Sequence, residues 1–168
     1  MCWRVSLSIT AARWGGVWAG LLPSPPRHKK TDPKYDFIEQ VDFDTLLAES
    51  DVISIHAPLT PSTEDTFDAD AFAKMKDGTI LINTARGGLI VEEALVDALQ
   101  SGKVYGAGLD VLRDEPPKGD NPLLHQDNAA ITAHIAWLTR ASRLRAIDIA
   151  IDNFKAYLRG EPVSVINK

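Results

Sequence analysis

At 168 residues the chain has the length of one domain with a sizeable core, and its 45% hydrophobic and 24% charged content excludes a disordered or fibrous chain. A net charge of −5 argues against nucleic acid as the main partner, and a single cysteine, Cys2, excludes an internal disulfide framework and a cysteine-rich zinc site. No run approaches the roughly 20 apolar residues of a membrane-spanning helix, so no membrane partner is expected.

The charge is uneven. Residues 1–31 carry five basic residues and no acid, whereas the remainder carries 13 basic and 23 acidic residues. Trp3, Trp14 and Trp18, three of the four tryptophans, also lie in this opening stretch. Met1–Gly20 shows no clean period of 2 or 3.6, and Pro23-Ser24-Pro25-Pro26 cannot continue a helix or a central strand. A secretory signal fits poorly because Arg13 interrupts the apolar run. An organelle transit peptide on an otherwise cytoplasmic protein and a non-native segment from a shifted frame both remain open.

From Tyr35 the pattern becomes legible. Phe43–Ser50 reads as a short helix starting near Asp44 or Thr45, and Val52–Ile55 as a β-branched strand. Pro61-Ser62-Thr63-Glu64 reads as the start of a helix that turns Ala71, Phe72 and Met75 inward and ends at Asp77-Gly78. Thr79–Asn83 is an apolar strand and Gly87-Gly88 a loop. Glu92–Gln100 is a helix closed by Gly102, with Val91, Ala94, Leu95, Ala98 and Leu99 on its inner side. Val104–Val111 and Ala129–Ile131 are further strands. In the last helix, Arg140 to Arg159, Leu144, Ile147, Ile151, Phe154 and Leu158 recur at steps of 3 and 4, and Gly160 and Pro162 stop it. The tail Val163–Asn167 reads as extended.

Apolar strands alternating with helices indicate βαβ units in a parallel sheet covered on both faces. Ligands of such sheets bind beyond the carboxyl ends of the strands. Those ends are His56-Ala57-Pro58, Asn83-Thr84-Ala85-Arg86, Asp110 and Thr132-Ala133-His134. Arg86 can hold a carboxylate through two parallel hydrogen bonds, and the bare backbone of Gly87 and Gly88 lets a ligand approach. Glu115 sits in Arg113-Asp114-Glu115-Pro116-Pro117, where the prolines hold the loop extended. His134 suits acid–base work near neutral pH. Against these stand plainer readings: a surface ion pair for Arg86, a solvated acidic loop for Glu115 and a structural histidine for His134. His56 reads as structural, and His28 and His125 as loop residues. The spacing offers no metal site, no G-x-S-x-G and no G-x-G-x-x-G.

The order of DVISIHAPLT (51–60), GTILINTARGGLI (78–90), GAGLDVLRDEPP (106–117), Asn121-Pro122-Leu123-Leu124 and ITAHIAW (131–137) resembles the D-isomer-specific 2-hydroxyacid dehydrogenases, and within them the glycerate dehydrogenase/hydroxypyruvate reductase branch. The resemblance implies that Arg86 binds the substrate carboxylate, Glu115 hydrogen-bonds the catalytic histidine and His134 gives and takes the proton. It implies that Ala57, Pro58, Thr84, Ala85, Arg86 and His134 lie near the nicotinamide half of NAD or NADP, and that Asp110 holds the carboxamide. It further implies a small 2-keto or 2-hydroxy acid of the glyoxylate/hydroxypyruvate class as substrate, and admits a homodimer.

The departures are as specific. The family precedes this region with a substrate-binding domain and with the glycine loop that cradles the pyrophosphate. Arg27-His28-Lys29-Lys30 is at most a remnant of the segment that selects NADP. Ala133 replaces the proline the family usually has before its histidine, which loosens that loop. The expected organisation is an atypical basic segment over 1–31, a partial Rossmann-type dinucleotide domain over 32–139 lacking its N-terminal half, and a C-terminal helix and tail over 140–168. An inactive remnant and a non-enzymatic dimerising module are the competing readings.

Overall fold

The computed structural model describes residues 9–13, 16–20 and 38–165. Seven strands form one sheet: β1 (Ile9–Arg13), β2 (Gly16–Gly20), β3 (Ile38–Val41), β4 (Val52–Ile55), β5 (Thr79–Asn83), β6 (Val104–Leu109) and β7 (Ala129–Ile131). Among the described residues four α-helices accompany them: α1 (Phe43–Glu49), α2 (Ala69–Lys74), α3 (Glu92–Gln100) and α4 (Arg140–Leu158). The residues form two compact units, one ending at Ala133 and one that includes His134 and α4.

The sheet order is β3-β2-β1-β4-β5-β6-β7. From β4 to β7 every pairing is parallel, and β2 pairs with β3 in parallel. β1 is the exception, antiparallel to both β2 and β4. Its first residue, Ile9, lies opposite Ile55 at the carboxyl end of β4, and its last, Arg13, opposite Gly16. The opening stretch thus supplies two strands of an antiparallel hairpin where its periodicity indicated no element. Ala11, Ala12, Gly16, Ala19 and Gly20 dilute any apolar pattern, and a strand paired on both sides needs little side-chain alternation to be held. β3, Ile-Glu-Gln-Val, is equally quiet in sequence.

Caps set the helix starts. Asp42 caps α1, accepting the Thr45 N–H at 2.8 Å, one residue before the helix rather than within it as Asp44 or Thr45. Asp68 caps α2, accepting the Ala71 N–H at 2.9 Å, so the helix begins at Ala69. Pro61–Asp65 is instead a turn built on Thr63, whose hydroxyl donates to the Pro58 carbonyl at 2.7 Å and accepts the Thr60 N–H at 2.8 Å. Ser/Thr turns of this kind compete with helix formation for the same backbone groups. α3 matches the expected span, with Leu95, Val96, Ala98 and Leu99 buried. β6 stops at Leu109, two residues early, because the chain leaves the sheet at Asp110.

The core lies on one face of the sheet. Ile53, Ile55, Leu81, Val104 and Leu109 pack with Leu46 and Leu47 of α1, Phe72 of α2 and Leu95 and Leu99 of α3, while Phe43 meets Phe67 edge-on. The opposite face is open over part of its area: Ile80 and Tyr105, on β5 and β6, are 38% and 71% exposed. Coverage of both faces, expected from the apolar strands, therefore does not hold along β5 and β6.

Candidate active site

The sheet delivers its polar residues where β4 to β7 end. Asn83, the last residue of β5, is fully buried. Its side-chain amide donates to the Arg86 carbonyl at 2.9 Å, and its side-chain oxygen accepts the Ala85 N–H at 3.0 Å. Its own carbonyl accepts the Asp110 N–H at 2.9 Å. One side chain thus closes the Thr84–Arg86 turn and satisfies backbone groups that would otherwise be costly to bury. Thr84 and Arg86 are exposed, and one Arg86 Nη1 donates to the Ala85 carbonyl at 2.6 Å.

Gly87 has a role other than opening space for a ligand. A Cβ there would stand 1.9 Å from the Leu112 carbonyl carbon and 2.4 Å from the Arg113 nitrogen. The glycine lets the Arg86 turn press against the backbone of the loop after β6. That loop carries Glu115, whose Oε1 accepts the Leu112 N–H at 3.1 Å. Arg86 and Glu115 are therefore brought to one edge of the sheet through two backbones in direct contact. The Glu115–Pro116 peptide is cis.

A second carboxylate holds the same loop. Glu92, at the start of α3, accepts the Arg113 N–H at 2.8 Å on Oε1 and the Asn121 side-chain amide at 2.8 Å on Oε2. A carboxylate in the first turn of a helix is also favoured by the helix dipole. Arg113 ties the loop to the turn before α2 through ion pairs with Asp65 and, at 3.5 Å, Glu64. Beneath the junction lies a cavity of about 10 Å³ lined by Asn83, Gly87, Glu92, Leu112 and Leu123, room for about one water.

The remaining candidates divide between the two units. Ala57 is buried after β4, and the Pro58 carbonyl takes the Thr63 hydroxyl. Asp110 is buried after β6, its Oδ1 accepting from the Thr132 hydroxyl that follows β7. His134 is exposed and belongs to the unit that contains α4. Its φ of +54° lies in the left-handed region, which is uncommon for a residue other than glycine and is found disproportionately at functional positions. His56 bonds the Ser54 hydroxyl through Nε2 at 2.9 Å. Sequence reasoning gave Asn83 and Glu92 no role. The signal for Asn83 was a polar residue ending an apolar strand; Glu92 reads like any acid at a helix start.

Residues 13–136 match the model of the D-isomer specific 2-hydroxyacid dehydrogenase, NAD binding domain. The chain belongs to this family. It is 56% identical over 128 residues to a hydroxypyruvate reductase of Blautia hydrogenotrophica, covering 76% of this chain and 40% of that protein. It is 45% identical over 128 residues to a glycerate dehydrogenase of Methylorubrum extorquens, covering 75% and 41% respectively. The NAD-complexed D-isomer specific 2-hydroxyacid dehydrogenase of Lactobacillus delbrueckii ssp. bulgaricus superposes with a TM-score of 0.75 at 34% identity, over 83% of this chain and 47% of that one. The chain spans about 40% of the length of these two curated relatives.

The structure fits one end of a nicotinamide dinucleotide better than the other. A buried acceptor at Asp110 and exposed polar groups at Thr84 and Arg86 suit an amide-bearing ring at the strand ends. The glycine-rich strand–helix turn that holds a pyrophosphate does not occur among the described residues. β1 occupies the sheet position beside β4 but runs the opposite way, so its carboxyl end meets the other edge and returns at once as β2. The turn from β3 into α1 carries Asp42, whose carboxylate already takes an N–H that a phosphate would need. Among the described residues no helix is long and apolar enough to cross a membrane.

Proposed function

We propose that this chain carries the carboxylate-binding and acid–base groups of an NAD(P)-dependent interconversion of 2-keto and 2-hydroxy acids of the glyoxylate/hydroxypyruvate class. The observation that carries this reading is the Gly87 junction, which puts the Arg86 turn and the Glu115 loop at the same edge of the sheet. A bound nicotinamide would supply or accept the hydride. Arg86 clamps the substrate carboxylate with two hydrogen bonds and so fixes which face of the carbonyl is presented. His134, protonated, donates to the carbonyl oxygen as it becomes a hydroxyl; Glu115 stabilises the imidazolium electrostatically and orients its ring. Asp110, Thr84, Ala85, Ala57 and Pro58 line the place of the nicotinamide end. The partners are a small 2-keto or 2-hydroxy acid and a second copy of the chain, in the cytoplasm.

The domain reading proposed with it keeps 32–139 as the dinucleotide module and 140–168 as its helical extension, while 1–31, an atypical basic lead in sequence, adds β1 and β2 to the module's sheet. Positioning limits the rate. With no pyrophosphate cradle among the described residues, the chain is expected to bind NADH or NADPH weakly and to turn over hydroxypyruvate or glyoxylate far below the roughly 10 per second typical of enzymes. Calorimetric titration with each cofactor and absorbance at the reduced nicotinamide band test this. Arg86→Lys should lower the residual rate by about 100-fold, since an ammonium cannot reproduce the fork geometry. A rate unchanged in both Arg86→Lys and His134→Ala would refute the assignment.

A further inference from the structure

We propose that Arg113 is a positioning residue: its guanidinium closes the loops after β4, β5 and β6 into one ring and so fixes where the Glu115 carboxylate stands. Backbone bonds and packing supply the rest of the ring. The Asp65 N–H donates to the Gly88 carbonyl at 2.9 Å, which joins the loop after β4 to the loop after β5. Leu59 supports the same join, its side chain lying 3.0 Å from where a Cβ on Gly88 would stand. The loop after β5 meets the loop after β6 at Gly87, where Leu112 and Arg113 supply the facing backbone. The Arg113 side chain then runs from the loop after β6 back to the loop after β4. It pairs with Asp65, lies 3.5 Å from Glu64 and donates to the Ile90 carbonyl at 3.4 Å.

Arg113 is held at both ends. Its N–H donates to Glu92 at 2.8 Å, and its guanidinium reaches the loop after β4. It follows Leu112, whose N–H donates to Glu115 Oε1 at 3.1 Å. A shift of the Arg113 backbone therefore moves the donor that holds Glu115. Magnitudes separate this role from a stabilising one. The paired side chains of Arg113, Asp65 and Glu64 are 38% to 54% exposed, and ion pairs so exposed add little to stability. Placement is far more sensitive, since a displacement of about 1 Å can lower a rate on the order of 100-fold. A guanidinium that reaches two carboxylates and a carbonyl at once fixes direction as well as distance, which a point charge does not.

The inference rests on the reading of Glu115 above, and the experiment on the full chain tests the two separately. Amide exchange at Leu112, measured without cofactor or substrate, reports the grip on Glu115. The rate with NADH and hydroxypyruvate reports its use. Arg113→Gln should speed exchange at Leu112 at least tenfold and leave Leu95 and Leu99 in the core unchanged. Asp65→Asn should do the same from the other end of the pair; Asp65 has φ +54°, a left-handed conformation that Asn also tolerates. Arg113→Lys should retain part of the protection. Salt at about 1 M, which screens charges beyond about 3 Å, should speed Leu112 exchange in the wild type and not in Arg113→Gln. Both charge-removing variants should lower kcat about tenfold with KM for hydroxypyruvate within about twofold, because Arg86 is untouched. Leu112 exchange that ignores both variants overturns the proposal whatever the rates. Faster exchange with an unchanged kcat, where Glu115→Gln lowers it, overturns the positioning role and leaves the reading of Glu115 standing. A rate that Glu115→Gln leaves unchanged, or one too small to measure, overturns that reading and the positioning role with it.

Discussion

The opening hairpin and the parallel strands that follow it share one sheet but differ in what their ends do. Each of β4, β5 and β6 runs into a polar loop at the same edge, and two side chains clamp two of those loops: buried Asn83 closes the turn after β5, and half-buried Glu92 holds the loop after β6. β1 lies beside β4 with its direction reversed, so no strand end at that position opens toward the same edge. Pairing alone completes a sheet; direction decides whether a strand contributes to a site. In the parallel half the strands end together at one edge; in the hairpin β1 points away from that edge and β2, which ends at Gly20, points back to it.

The sharpest way to break the parallel half is Gly87→Ala. Its Cβ would collide with backbone, which cannot rotate away, so the loops after β5 and β6 must separate. Overpacking of this severity is expected to cost about 3 kcal/mol or more, seen as a fall in the urea midpoint, and to abolish residual reductase activity. If the hairpin is as integral to the sheet as its register implies, Ala11→Pro should come close behind. Ala11 pairs with Trp18 on one side and Ile53 on the other, so a proline there breaks a central strand. A loss of about 2 kcal/mol is expected; a neutral result would show that β4 does not need β1 as a neighbour.

Glu92→Ala probes the clamp on the loop rather than the fold. It removes the acceptor of the Arg113 N–H and of the Asn121 amide, with an expected loss of about 1–2 kcal/mol. Amide exchange at Leu112 and Arg113 should accelerate more than at Leu95 or Leu99 in the core. Uniform acceleration would mean that Glu92 supports α3 and not the Glu115 loop.

The contrast between the two regions also makes a ligand prediction. A site that grips only the nicotinamide end should bind nicotinamide mononucleotide and NAD with affinities within about threefold, or 0.6 kcal/mol. Titration calorimetry on the full chain decides it. NAD binding ten times more tightly would mean that the hairpin side supplies a pyrophosphate or adenine contact after all.

How much of this was legible before the structure depended on how local the cause was. α3 and β7 appear where the sequence put them, because a helix with a four-residue apolar pattern and a closing Gly102, and a three-residue apolar run, are local signals. The helix expected from Pro61 was misread because Thr63 bonds Pro58 and Thr60, a turn that uses the same residue types as a helix cap. β1 and β2 were invisible because their pairing, not their composition, makes them strands. At the site, residue types and order pointed to Arg86, Glu115 and His134. The reason for Gly87 was not legible: its neighbour is Leu112, 25 positions away, and only the folded sheet brings the two backbones together.

The smallest effect expected is at Asp42, between β3, which belongs to the hairpin side, and α1, which leads into β4. Its carboxylate accepts the Thr45 N–H at 2.8 Å and the Thr45 hydroxyl at 3.1 Å. The Thr45 backbone bond first, then the hydroxyl, hold the acid below its ordinary value of 3.8. Because the folded value is the lower one, the unfolded chain takes up the proton first as pH falls. The charged cap therefore stabilises fully above 3.8 and progressively less as pH falls through the depressed value. Asp42→Asn keeps an oxygen for the Thr45 N–H and removes the titration. The denaturation midpoints of wild type and Asp42→Asn should differ most near neutral pH and converge below the folded value. Parallel curves with no convergence would show that the cap works through its hydrogen bond alone, and that the link between the hairpin side and the parallel half gains nothing from its charge.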